Sequence, residues 1–372
     1  MWSRRQFLTR SGLAVLGAAG TALAVPADDR GGDGRDALPD GSASRGMVTS
    51  QADDAIRKGL AYLAEHCDGG SFGSRMNYRG HVAVASLAGL AFMAGGNQPQ
   101  RGKYGSVVTA ALRHVLKLSV EEGQLNAGFL YNPRASLHGP MYGHGFGTLF
   151  LAEAHGTVHD EELHRELSKK LGLALKLIER SQNDEGGWRY QPNSRDADLS
   201  VTVCQMVALR AARNAGFAVS KETVDRCVAY VKRSQEADGS FRYMNGRHQN
   251  GPPDPLARAG AGLSALFSAG IYEGPEIERG LKFLLTRKPG GDNSRFQQNG
   301  MQYFYGHYYA AQAMWTAGGR WWAEWFPAIR EELLGRQNGD GSWDDAIDPH
   351  YATAMACIIL QIPNNYLPIL QK

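Results

Sequence analysis

Cysteine is scarce: four in 372 residues, at positions 67, 204, 227 and 357, and no two share a metal-finger spacing. That excludes a zinc finger. Three of the four sit inside apolar helical runs, which reads as buried inert thiols; pairing in an oxidising compartment is the alternative, with no connectivity given by the sequence. Excess charge of one sign is also missing. Residues 1–27 hold three Arg and no acid, so the rest carries 37 basic and 37 acidic residues. A balanced chain gives no argument for nucleic acid or an anionic membrane surface as partner. No Gly-rich phosphate loop, nucleophile elbow or HExxH motif occurs. The apolar stretch from Gly12 to Val25 is too short and too rich in Gly and Ala to span a membrane stably.

What that first segment does carry is an address. Residues 3–8 read Ser-Arg-Arg-Gln-Phe-Leu, with Arg10 close behind, and Ala22-Leu23-Ala24 or Val25-Pro26-Ala27 fits a small-residue cleavage site. Residues 1–27 therefore read as a twin-arginine export signal, which predicts a periplasmic or other extracytoplasmic protein with no membrane span after removal. Residues 28–49 are mostly Gly, Asp and Ser and read as a flexible linker. One repeat domain, 50–372, follows.

The repeat is legible in three segments: Ala174–Trp188, Cys227–Phe241 and Ile329–Trp343. In each, a helical apolar pattern runs into Gln, and an aromatic follows six residues later after an Asp/Glu-Gly turn. The glutamines stand at 182, 235 and 337, 53 and then 102 residues apart, so a degenerate copy lies between the last two. Taking the aromatic as marker gives Phe72, Phe129, Trp188, Phe241, Phe296 and Trp343, hence six units. Each unit has an amphipathic first helix (Asp54–Glu65, Glu276–Thr286) and a second helix nearly free of charge, such as those starting at His81, Gly143 and Leu199. A helix apolar on every side is buried. Six alternations predict an all-α fold, an α/α toroid with six inner and six outer helices; an open solenoid is the alternative.

The Gln-to-aromatic segments resemble the QW-type repeat of squalene–hopene and oxidosqualene cyclases, shared more loosely with protein prenyltransferase β subunits. The resemblance covers residues 50–372 and implies the toroid. It implies a structural role for Gln182, Trp188, Gln235, Phe241, Gln337 and Trp343: the Gln caps backbone groups and the aromatic packs on the next unit.

Parallel inner helices would open their N-termini at one mouth, where unpaired N–H groups gather. The polar residues at those starts are His81, His144, Asp198, Asp254, His307 and His350. Three share a local phrase, Arg79-Gly80-His81, Tyr142-Gly143-His144 and Tyr305-Gly306-His307. Asp196-Ala197-Asp198-Leu199-Ser200 resembles the Asp-x-Asp-Asp-Thr segment of class II terpene cyclases. The resemblance implies that Asp198 is the acid that protonates an alkene, with Asp196 its partner; Leu199 and Ser200 depart from the pattern. Paired carboxylates raise one pKa, as a general acid requires. His144 and His307 would orient or relay protons. His81, Tyr142, Arg195, Asp254, Tyr305 and His350 are the expected substrate contacts.

Aromatic residues crowd the same loops: Tyr78, Tyr131, Tyr142, Tyr190, Tyr243, Tyr303, Tyr305, Tyr308 and Tyr351. They suit a cationic intermediate or a sugar ring. Arg134, Arg189, Arg195, Arg242 and Arg258 could hold an anionic group. The segment around His307 resembles the one that supplies the zinc-binding His of prenyltransferases. The only Asp-x-Cys, Asp225-Arg226-Cys227, falls on an outer helix, so that zinc site is not expected. No cofactor is implied, although His81, His144, His307 and His350 with Asp198 could hold a divalent metal.

Two classes of small ligand, hydrophobic or carbohydrate, stay open. The first reading is an exported enzyme acting on an isoprenoid or other hydrophobic substrate by Asp acid catalysis. The alternatives are a polysaccharide lyase or hydrolase of the α/α-toroid type and a non-catalytic binding module.

Overall fold

The computed structural model describes residues 46–135, 139–246, 255–290 and 302–371. The export signal, Asp254 and Phe296 lie outside the described residues. Twelve α-helices form, and among the described residues there is no β-strand, only isolated bridges. The outer helices are α1 (Ser50–Glu65), α3 (Gly105–Lys117), α5 (Glu161–Ser181), α7 (Lys221–Ser234), α9 (Pro275–Leu285) and α11 (Gly319–Arg336). The inner ones are α2 (Val82–Ala94), α4 (Pro140–His155), α6 (Leu199–Asn214), α8 (Pro255–Ser268), α10 (Tyr303–Ala317) and α12 (Pro349–Gln361).

Each inner helix packs on the next, and α12 returns to α2. The ring is closed: an α/α toroid of six helix pairs, as the repeat requires. The outer helices bury one stripe, such as Leu163, Leu167 and Leu171 of α5, and keep charge outside. Every residue of α2 is buried. Inner helices approach closely where side chains are small; a Cβ on Gly260 of α8 would lie 2.7 Å from the backbone nitrogen of Ala310 in α10.

The repeat residues hold one unit to the next. Gln182 Nε2 donates to Gly186 O in its own turn and to Thr223 O in α7, both at 2.9 Å. Gln235 does the same to Glu276 O of α9 at 2.8 Å. Gln337 Nε2 reaches Gly341 O and Ala55 O of α1, both at 2.9 Å, which ties the last unit to the first. Gly341 (φ 89°) presses on the same helix; a Cβ there would sit 2.9 Å from Lys58 O, and the left-handed φ suits only glycine. The indole N–H groups bond back to their own units, Trp188 Nε1 to Ile178 O and Trp343 Nε1 to Leu333 O, each at 2.8 Å, while the Trp343 ring lies against Gly59 of α1 in the next unit.

The two ends of the ring differ. After α12 the chain crosses the C-terminal ends of the inner helices as a strap. Asn364 donates to Ala94 O of α2, Trp315 Nε1 of α10 to Leu370 O (2.9 Å) and Arg210 Nη2 of α6 to Gln371 O (2.8 Å). Leu367 and Leu370 are buried there. The opposite end, where the inner helices begin, stays hollow.

Candidate active site

At that end lies a cavity of about 600 Å3. Its walls are Tyr78, Tyr142, Tyr190, Tyr243, Tyr305 and Tyr351, with Phe146, Ala83, Val84, Ala257, Pro140 and Ile347 supplying apolar surface. His81, Gln191, Ser200, Arg258 and Gln302 add the polar groups. The size suits a ligand of tens of atoms. Six of the nine tyrosines expected at the mouth line this space. Tyr303 instead donates to Glu332 of α11 at 2.9 Å, Tyr308 packs edge-on to Phe146, and Tyr131 stacks on Phe129.

Asp198 organises one side. It is fully buried, and Oδ1 caps α6 by accepting from Val201 N at 2.8 Å. The same oxygen accepts from Ser200 Oγ at 2.7 Å. Ser200 Oγ lies 2.5 Å from Tyr142 OH, and since the serine hydrogen points to Asp198, the phenol is the donor. Oδ2 accepts from Tyr243 OH at 3.2 Å, and Tyr190 OH, 2.6 Å away, donates to Tyr243. Tyr305 OH donates to Ser200 O at 2.6 Å. Arg189 stands 3.7 Å from Asp198 Oδ2 and 3.8 Å from Asp196 Oδ2, its guanidinium over the Tyr190 ring. Asp198 itself does not line the cavity. It acts behind the wall, connected by Ser200 to Tyr142 and by Tyr243 to Tyr190.

Burial raises the Asp198 pKa, and it stays raised although the Val201 N–H, the Ser200 hydroxyl, Arg189 and the Tyr243 hydroxyl oppose the shift. Asp196, the expected partner of Asp198, is half-buried and faces Arg189. Burial also pushes the Tyr142 phenol well above its ordinary range, followed by the charge of Asp198, so Tyr142 stays protonated and serves as a donor.

The four histidines do not share the mouth. His81 alone lines the cavity, its Nδ1 capping α2 by accepting from Ala83 N at 3.0 Å. Expectation and structure part at His144 and His307 because α4 begins at Pro140 and α10 at Tyr303, a turn earlier than the His positions suggest. Tyr142 and Tyr305 face inward, and a residue two positions later turns about 200° away. His144 accordingly points into the outer layer. Its Nδ1 accepts from Leu130 N at 3.1 Å, which leaves the proton on Nε2 to donate to Ala174 O at 3.2 Å. His307 packs between Tyr303 and Trp325 of α11. Burial lowers both pKa values to about 3. Neither can relay protons in the cavity. His350 also faces outward, accepting from Gly73 N at 3.0 Å beside Tyr62 and Phe72.

The expected Arg195 contact is displaced as well: it is exposed and outside the lining, and Arg258, which donates to Phe241 O at 2.7 Å, stands at the cavity in its place. The proposed ligand set for a divalent metal is not assembled. Three of its imidazoles face away, and among the described residues no three His, Cys, Asp or Glu side chains gather to hold an ion. All four thiols are free, and burial pushes Cys204 and Cys227 up to about 12.

One acidic residue behind the cavity wall, outside its lining, escaped the sequence reading. Asp345, in the loop before α12, accepts from Ile347 N at 2.7 Å. Its charge is felt by the phenols of Tyr78 and Tyr351. Burial raises its pKa to about 6. The signal was present: Asp344-Asp345-Ala346-Ile347-Asp348 stands before its inner helix as Asp196-Ala197-Asp198 does.

No protein-family model matches the chain, and no curated protein matches it by sequence. Solved structures do match by shape. The apo type II terpene cyclase MstE from Scytonema superposes with a TM-score of 0.56 at 16% identity over 86% of this chain and 100% of that one. An inactive variant of the α-1,6-mannanase GH76A of Salegentibacter sp., bound to α-1,6-mannotetrose, superposes with a TM-score of 0.56 at 10% identity, covering 85% and 99%. A protein from Actinoplanes gives 0.55 at 12%, covering 85% and 99%. At such identities the likeness is one of fold.

Proposed function

We propose that this chain is an exported, extracytoplasmic enzyme that binds a hydrophobic, isoprenoid-sized molecule in the tyrosine-walled mouth and acts on it by aspartate-dependent proton transfer. One observation carries the reading: an apolar-floored cavity whose phenol groups are hydrogen-bonded, directly or through Ser200, to the buried carboxylate of Asp198. Proton exchange at Tyr142 reaches Asp198 through Ser200 with no side chain needing to move. The phenol faces suit positive charge on a ligand, because an aromatic ring attracts a cation over its face. The likeness to a terpene cyclase supports the reading, since one MstE variant is described in complex with geranylgeranyl dihydroxybenzoate as substrate.

A second reading, cleavage of a saccharide, has one observation in its favour. Asp344 and Asp345 are consecutive in the loop before α12, and the mannanase neighbour is inactive when two consecutive aspartates are replaced. Native mass spectrometry with geranylgeraniol and with α-1,6-mannotetraose separates the two. One geranylgeraniol per chain and no sugar is the expected result; sugar alone would replace the first reading with the second.

A further inference from the structure

We propose that Phe146 is the floor of the cavity and decides how far a ligand chain can run into the barrel before it must turn back. The assignment rests on the hydrophobic reading above and adds a limit on ligand length to it. Residues four apart lie on one face of a helix, so the lining can be followed down each inner helix. The first tier is Val84 of α2, Tyr142 of α4, Ser200 of α6, Ala257 of α8, Tyr305 of α10 and Tyr351 of α12, and all six line the cavity. Four residues further along stand Ala88, Phe146, Cys204, Ala261, Tyr309 and Met355. Of this second tier Phe146 alone reaches the lining, and the other five are buried beneath it.

Side-chain size explains why one ring closes the bore. Ala88, Cys204 and Ala261 keep the second tier short on three of its six sides, and Phe146 reaches across. Its ring is 3% exposed and stands edge-on to Tyr308, with centroids 6.0 Å apart. Tyr308 in turn meets Tyr309 edge-on at 4.9 Å, and the Tyr309 hydroxyl lies 3.2 Å from Cys204 Sγ. Phe150, next on the same face of α4, is fully buried with its ring against Gly89 of α2, where a Cβ would lie 2.4 Å away. Gln312, hydrogen-bonded to the Tyr308 hydroxyl, lines a second void beside the strap. That void has about 20 Å3, room for one water, and shares no lining residue with the mouth cavity. From Pro140 at the rim to Phe146, α4 rises about 9 Å, the reach of roughly eight carbons with bonds of about 1.5 Å. The volume of about 600 Å3 still holds a longer chain, but only one bent back onto the tyrosine walls.

Straight-chain primary alcohols from hexanol to tetradecanol test this by titration calorimetry on the signal-free chain. Affinity should rise roughly fourfold per added methylene up to about octanol, and less than about twofold per methylene beyond it. Phe146→Ala should move that break about one helical turn deeper, to about dodecanol. Phe146→Leu should move it part of the way, and it carries the test if the alanine variant does not fold. His144→Gln, on the outer face of the same helix, should leave the break where it is. A parent chain whose affinity climbs without a break to tetradecanol overturns the assignment. So does a break that stays at octanol in the folded Phe146 variants; in both cases binding of the alcohols leaves the hydrophobic reading standing. A parent chain that binds no alcohol of the series overturns the hydrophobic reading and this assignment together.

Discussion

The first turns of α4 and α10 show two faces, one turned to the cavity and one to the outer ring. On the inner face Tyr142 and Tyr305 donate to Ser200 and stand at open space. On the outer face, two residues on, His144 is clamped between Leu130 N and Ala174 O, and His307 lies against Trp325. Both faces recur in the repeat, yet only one borders the cavity. Recurrence at the same register marks what each unit needs to pack on its neighbour. The candidate site sits where the register points a side chain at the shared axis.

That contrast can be broken from the scaffold side. Trp188→Ala removes a fully buried ring and its hydrogen bond to Ile178 O. It should cost about 3–5 kcal/mol, a loss of roughly 5–10 °C in Tm by calorimetry. His144→Ala strands a buried N–H and a buried carbonyl and should cost about 2–4 kcal/mol, with ligand affinity unchanged in the folded fraction. A large affinity loss without loss of stability would move His144 back to the site.

Acid sharpens the same comparison. His144 and His307 titrate near pH 3 when folded, against 6.5 ordinarily, so between those values the unfolded chain holds more protons. Their contribution is complete above about pH 6.5 and is lost as pH falls toward about 3. Asp345, raised to about 6, pulls the opposite way over part of that window. Thermal melts from about pH 7 to about pH 4 should therefore fall less steeply in His144→Asn than in the parent chain. On the inner face, Tyr142→Phe removes one hydroxyl at the cavity and should change stability by under about 1 kcal/mol. It should abolish deuterium exchange into a bound hydrophobic ligand, read by mass spectrometry. Arg195→Ala, on an exposed side chain, should shift neither stability beyond about 0.5 kcal/mol nor binding.

Much of the fold was legible because it is written six times. The Gln and aromatic positions recur with the turn between them, and Gln337 reaching Ala55 O closes the ring as Gln182 reaching Thr223 O continues it. The site was legible in part. The tyrosines and the Asp198 side stand out by composition and motif. The histidines misled, because a repeated Tyr-Gly-His phrase does not reveal where its helix begins, and inside the helix the imidazole, two residues past an inward tyrosine, turns to the outer layer. Asp345 went unread because its neighbourhood joins the last unit to the first, a contact between Arg75 and Ile347 that lies 272 residues apart in the chain.

The most direct measurement is geranylgeraniol binding by native mass spectrometry to Ala83→Trp, which fills the inner wall, beside His144→Gln, which alters only the outer face. Loss of the bound molecule in Ala83→Trp with full occupancy in His144→Gln is the predicted result. Full occupancy in Ala83→Trp would contradict the placement of the site in the tyrosine-walled mouth.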